Sequence, residues 1–184
     1  LDRLRADPDS VSFAMPSRGG VTHLALGAAV KAGGLDPKKL KVVVFKASGD
    51  SITAVAGGHV HAMVSSLASV MPHVKAGSLR VLAIAARERR GGAAANVPPL
   101  REQGIATDGV AAWRGMSGPK GLSPAHVAFW EDALAKAVES GEWKGFLEEN
   151  DLSPQFLRSR EFAKYLEGEY ATTKAVMTDL GLLK

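Results

Sequence analysis

Cysteine is absent from the 184 residues, which excludes disulfides and thiolate metal sites and leaves the redox compartment unread. Aromatic residues are sparse at 6%, and nowhere are they interleaved with basic residues as nucleic-acid binding needs, so no nucleic-acid partner is expected. No apolar run approaches the roughly 20 residues that cross a bilayer. No serine is followed by a plausible general base, and no carboxylates are placed as an acid–base pair. No catalytic residue and no cofactor is therefore assigned, and no enzyme is expected. His59 and His61 alternate and would share one strand face, but two ligands without a nearby Cys, Glu or third His make a poor zinc site, so no metal is assigned. His23 reads as a structural hydrogen-bonder, and His73 and His126 as helix surface. Chain length fits one domain or two small ones. The net charge of +4 favours anionic ligands by long-range steering, and serves solubility equally well.

What the chain does contain is a repeated strand–turn–helix pattern. Val11 to Met15 has the β-branched and aromatic character of a short buried strand. Leu24, Leu26, Ala29 and Val30 then recur at helical spacing until Gly33-Gly34. Between them lies Ser17 to Leu24, SRGGVTHL. Its two glycines let backbone approach a ligand without a Cβ in the way. The first-turn amides near Val21 and Thr22 lack intrahelical acceptors and carry the positive end of the helix dipole. The same residues also suit a plain tight turn.

The pattern recurs. Lys41 to Phe45 reads as a second strand, followed by a Gly- and Ser-containing loop and a short helix, Ile52 to Ala56. Val60 to Val64 reads as a third strand, running into Ser65-Ser66 and a helix from Leu67 to Ala76 that stops at Gly77. Leu79 to Ala86 reads as a fourth strand. In a parallel sheet with right-handed crossovers, the C-terminal ends of the strands share one edge, and open α/β sheets bind ligands there. Ser17, Gly19, Gly20, Val21, Thr22, Ser48, Gly49, Ser65 and Ser66 are thus expected to face one crevice, with the serines as hydroxyl donors to a ligand.

These elements carry a specific resemblance. The Gly-Gly turn before His23-Leu24, Leu35-Asp36-Pro37, Phe45 with its loop, Gly57-Gly58-His59-Val60 and Lys75-Ala76-Gly77 before Leu79 to Ala83 resemble the solute receptors of tripartite tricarboxylate transporters, the Bug family. The likeness continues through Val97-Pro98, Leu100 to Gly104, Trp113-Arg114-Gly115, Pro119 to Leu122 and Gly181-Leu182. It implies a type II periplasmic-binding-protein-like fold of two α/β lobes joined by a hinge. It also implies capture of a small organic carboxylate outside the cytoplasm, in the periplasm, and delivery to the permease subunits of a membrane transporter. Family members usually carry an acidic residue where His61 stands. The opening LDRLRADPDS resembles the middle of a family member, which implies a C-terminal portion lacking the N-terminal half of the first lobe.

On that reading residues 1–112 form the second α/β lobe with its ligand loops, 113–118 a hinge or crossover, and 119–184 the C-terminal helical part of the first lobe. Arg87 to Pro99 reads as an exposed loop before a short helix from Pro99 to Gln103. Ser123 is a candidate N-cap with Pro124 at the first helical position. Val127, Trp130, Leu134 and Ala137 form its apolar stripe. A second helix is expected over Glu142 to Asn150, and a third from Ser159 with Phe162, Leu166, Tyr170 and Met177 on one face. Their apolar faces should be partly uncovered, which favours self-association. Trp113-Arg114 suits either a carboxylate clamp or a structural role. The effector-sensing domain of a transcription regulator shares the two-lobed architecture and is the alternative function; fold alone does not separate the two.

Overall fold

A computed structural model describes residues 1–107, 109–110, 112–150 and 152–183. The chain forms two compact units, Leu1–Ala112 with Thr173–Lys184, and Trp113–Thr172.

The first unit opens with a short helix α1 (Asp2–Ala6) and then alternates strand and helix: β1 (Ser12–Met15), α2 (Val21–Ala32), β2 (Lys41–Val44), α3 (Ser48–Ala56), β3 (Ala62–Met63) and α4 (Leu67–Lys75). The strands form one parallel sheet in the order β2-β1-β3. Strand side chains alternate across the sheet, so β1 feeds two small cores. Met15 packs with Leu26 and Val30 of α2, joined by Phe13, Leu40 and Val42. Ala14 points the other way, to Ala54 of α3 and Val60, with Phe45 and Met63 beside them. The result is the helix–sheet–helix layering of an α/β lobe.

The helix ends follow from identifiable residues. Asp36 accepts from the Lys38 amide at 3.0 Å and starts a 3-10 turn, Pro37–Lys39. Beyond α4, Gly77 takes φ 74°, and its amide returns to the Val74 carbonyl at 3.0 Å. That left-handed position is open to glycine at no steric cost.

Four strand and helix expectations in this unit need correction. Leu79 to Ala86 is not a strand: its one ladder contact is an isolated parallel bridge between Ile84 and Pro99. A strand needs a neighbour as well as β-branched residues; here Leu82 lies 60% exposed and its carbonyl accepts from the Gln103 side-chain Nε2 at 3.1 Å. β3 keeps only Ala62–Met63, because His59 and Val60 turn back to the Ala54 carbonyl at 2.9 and 3.3 Å and close the end of α3. α3 itself begins at Ser48 rather than Ile52, so the loop serine and glycine form its first turn. The short element near Pro99 is a 3-10 turn, Leu100–Gln103.

The second unit is helical: α5 (Pro124–Glu139), α6 (Gly141–Glu149) and most of α7 (Ser159–Asp179). Ser123 accepts from the His126 amide at 3.3 Å and Ser140 from the Trp143 amide at 3.2 Å; the second cap sets the start of α6 at Gly141 instead of Glu142. Arg158 ties the start of α7 to Asp132 at 2.8 Å and Glu131 at 3.3 Å. Within this unit Trp113 meets Phe162 edge to face, centroids 5.4 Å apart. Much apolar surface stays in water: Phe129, Trp130, Phe146 and Tyr170 are exposed, and Val127, Leu134, Phe162 and Leu166 are half-buried.

The end of α7 rejoins the first unit. Leu180 is buried, with its branch 3.0 Å from where a Cβ on Gly27 would sit, and Asp179 pairs with Lys31 at 2.5 Å.

Candidate ligand site

In the parallel register Met15 lies opposite Val44 and Ala14 opposite Met63. The chain therefore leaves all three strands at one edge, and each exit leads into a helix: α2, α3 and α4. The three helix starts differ chemically. α2 has Gly20 and α3 has Ala47 at the N-cap, neither able to supply a side-chain acceptor. The amides of Val21 and Thr22, and of Ser48 and Gly49, point past the helix end with no cap. α4 is capped: Ser66 Oγ accepts from the Ser69 amide at 3.4 Å and shares a 2.7 Å hydrogen bond with Ser69 Oγ. Two uncapped helix starts at one sheet edge suit an anionic ligand, through directed N–H groups and the dipole.

The first loop is shaped by its glycines. Gly19 has φ 77°, where a Cβ is strained. A Cβ on Gly20 would fall 2.2 Å from Ser17 Oγ, so the Ser17 hydroxyl occupies the space that a side chain would take. His23 locks the turn from below. It is 4% exposed, and its Nδ1 accepts from the Gly19 amide at 3.0 Å. Burial, and then the charge of Arg18, lower its pKa. The ring is thus held neutral at physiological pH, and with Nδ1 as acceptor its proton sits on Nε2.

Every residue expected from sequence stands on one of these loops or first turns. Ser17, Val21, Ser48, Gly49 and Ser66 are exposed, and Gly19, Gly20, Thr22 and Ser65 are half-buried. The hydroxyl of Ser66 is engaged in capping, which leaves Ser65 as the better-placed donor of that pair. Asp50 adds a carboxylate to the first turn of α3, a feature that opposes an anion there.

The histidine pair is resolved differently. His61 Nδ1 accepts from the Ser12 amide at 3.1 Å and lies 2.9 Å from Ser12 Oγ, tying the start of β1 to the turn before β3. Among the described residues no group of three or more His, Cys, Asp or Glu side chains is gathered to hold a metal. His73 is half-buried rather than on the open surface, and its carbonyl accepts from the Ser78 hydroxyl at 3.1 Å. Two cations escaped sequence reasoning: Arg18 and Lys38 line one cavity with His23. Nothing in their spacing signals this, because the cavity wall is completed by residues 180–182.

Comparison with known proteins agrees with the fold. The solved structure of a TctC solute-binding protein from Polaromonas superposes with a TM-score of 0.74 at 24% identity, over 97% of this chain and 61% of that one. An R. palustris protein solved with adipate superposes at 0.82 with 22% identity, over 98% and 59%. A structure described as a periplasmic transporter superposes at 0.80 with 27% identity, over 96% and 58%. Among curated sequences, the "UPF0065 protein in gbd 5'region" of Cupriavidus necator is 27% identical over 98% of this chain and 53% of its own length. Protein BugT of Bordetella pertussis is 27% identical over 76% and 42%. The chain thus spans about half the length of the curated relatives it matches. Residues 1–182 match the family described as "Tripartite tricarboxylate transporter family receptor"; the chain belongs to that family.

Proposed function

We propose that this chain is the ligand-holding portion of an extracytoplasmic receptor that captures a small organic carboxylate and delivers it to the permease of a tripartite tricarboxylate-type transporter. The observation that carries the reading is the pair of uncapped helix starts, α2 and α3, at the edge where the three loops emerge. Membership of the receptor family favours it over an effector-sensing domain and over an enzyme, and the adipate held by the R. palustris protein supports a carboxylate as ligand.

In this reading the carboxylate head takes the amides of Val21 and Thr22 and of Ser48 and Gly49. Gly19, Gly20 and Ser17 shape the approach, and the Thr22 and Ser65 hydroxyls donate beside it. Ser66 contributes by fixing the start of α4. Residues 113–118 act as the hinge, and 119–172 supply helices to the other lobe, while the end of α7 stays with the first unit. Binding rests on neutral donors, so each hydroxyl contributes about 0.5–1.5 kcal/mol, rising to ~1.5–3 where it meets a charged oxygen.

Titration calorimetry of the chain with adipate tests this. Thr22→Ala and Ser65→Ala should each weaken binding by those amounts, and Gly20→Leu should abolish it by filling the approach to the amides. Unchanged affinity in Gly20→Leu would refute the placement.

A further inference from the structure

The cavity on the α2 flank has a composition that the loop site does not explain. It offers about 170 Å³ and stands partly open to solvent, space enough for a small ligand. Arg18, His23 and Lys38 converge on it, against aliphatic walls from Leu40, Val42 and Leu182. It contains none of the residues of the second and third loops, so it is a separate place from the edge where α3 and α4 begin.

Its polar groups all donate. His23 spends Nδ1 on the Gly19 amide, which leaves the Nε2–H as the ring's remaining polar atom, with no acceptor among the described residues. Arg18 and Lys38 form no ion pair among the described residues. The nearby carboxylates are engaged elsewhere: Asp36 caps the turn at the Lys38 amide, and Asp179 is bound to Lys31. Among the described residues no acidic side chain lines the space. The stem of Lys38 runs beside Gly181, with its Cε 3.5 Å from where a Cβ on that glycine would sit. Two cations and a neutral N–H donor facing one small, half-aliphatic space attract a charge-dispersed anion with a short apolar tail.

We infer that the cavity between α2, the Pro37–Lys39 turn and the Leu180–Leu182 segment binds a short aliphatic monocarboxylate. Its head takes the Arg18 guanidinium, the Lys38 ammonium and the His23 Nε2–H, and its tail lies on Leu40 and Val42. Occupancy would join the first loop, the turn before β2 and the end of the chain through one ligand.

Butyrate titration followed by nuclear magnetic resonance tests the inference on the 184-residue chain. The His23 side-chain nitrogens and the Gly181 and Leu182 amides should shift together and saturate. Lys38→Ala should weaken that binding roughly tenfold, while Lys75→Ala, which removes one positive charge on α4, should leave it unchanged. Phosphate, which has no tail, should bind more weakly than butyrate, and chloride at equal ionic strength should give no saturating shift. A linear response, equal effects of the two lysine variants, or phosphate binding more tightly than butyrate would each overturn the assignment. Lys38 lies outside the loops at the sheet edge, so the Lys38→Ala arm separates this cavity from any carboxylate bound at those loops.

Discussion

His23 is the residue on which the first loop turns. Its buried, neutral ring accepts the Gly19 amide, and protonation would replace that acceptor with a donor facing a donor. Folding lowers its pKa, so below the ordinary imidazole value near 6.5 the unfolded chain takes up a proton that the folded chain refuses. The stability this residue contributes is complete above that pH and is lost as pH falls toward the lowered folded value. Urea unfolding at pH 7.5 and 5.5 should show a loss in the native chain that shrinks in His23→Gln. Glu102 and Glu131, whose pKa values are lowered by Arg89 and by Ser159 with Arg158, contribute only in the more acid range of carboxylates. The hydrogen-bonding role of His23 is legible in sequence, because a first-turn polar side chain reaches back to the loop before it. Its second face is not, since Lys38 and Leu182 come to it from distant parts of the chain.

At the scale of elements, the docking of the chain end on α2 is the least expected feature. Gly27 leaves room for Leu180, and the Lys31–Asp179 pair closes the contact at the surface. Exposed ion pairs contribute little, so the burial of Leu180 should dominate. Leu180→Ala is expected to destabilise the first unit by about 2 kcal/mol, the low end of the range for buried leucines, and Lys31→Ala by much less. Chemical denaturation monitored by circular dichroism measures both. The helices carrying Ser123, Ser140 and Ser159 were legible to within a residue or so, because caps and apolar spacing are local signals. The strand pattern of Leu79 to Ala86 misleads for the opposite reason. Its residues favour extended backbone, but a strand exists only where a neighbour accepts its hydrogen bonds, and no local pattern encodes that neighbour.

For the molecule as a whole, the contrast lies in how each unit manages apolar surface. The first unit buries Met15, Leu24, Leu26, Val30 and Ile52 around its sheet. In the second, the large side chains Phe129, Trp130, Phe146 and Tyr170 face water, and among its described residues Leu147 is the one buried apolar side chain. Aromatic surface of this kind favours association. Sedimentation velocity should show mass rising with concentration, and the double variant Phe129→Ser, Trp130→Ser should shift the chain toward monomer. A concentration-independent monomer would remove the case for self-association. No helix among the described residues is long and apolar enough to cross a membrane.

The outer border of the sheet has a consequence for how fast the chain trades its amide protons with water. Among the described residues β2 pairs with β1 alone, and the Phe45 amide reaches the Met15 carbonyl at 2.9 Å. Alternate residues of a strand direct their backbone to opposite sides, so Val43 faces β1 as Phe45 does, while Val42 and Val44 turn their N–H groups outward. In heavy water the run from Val42 to Phe45 should therefore exchange in a fast–slow–fast–slow rhythm, a period-two record of which side of the ladder lacks a partner.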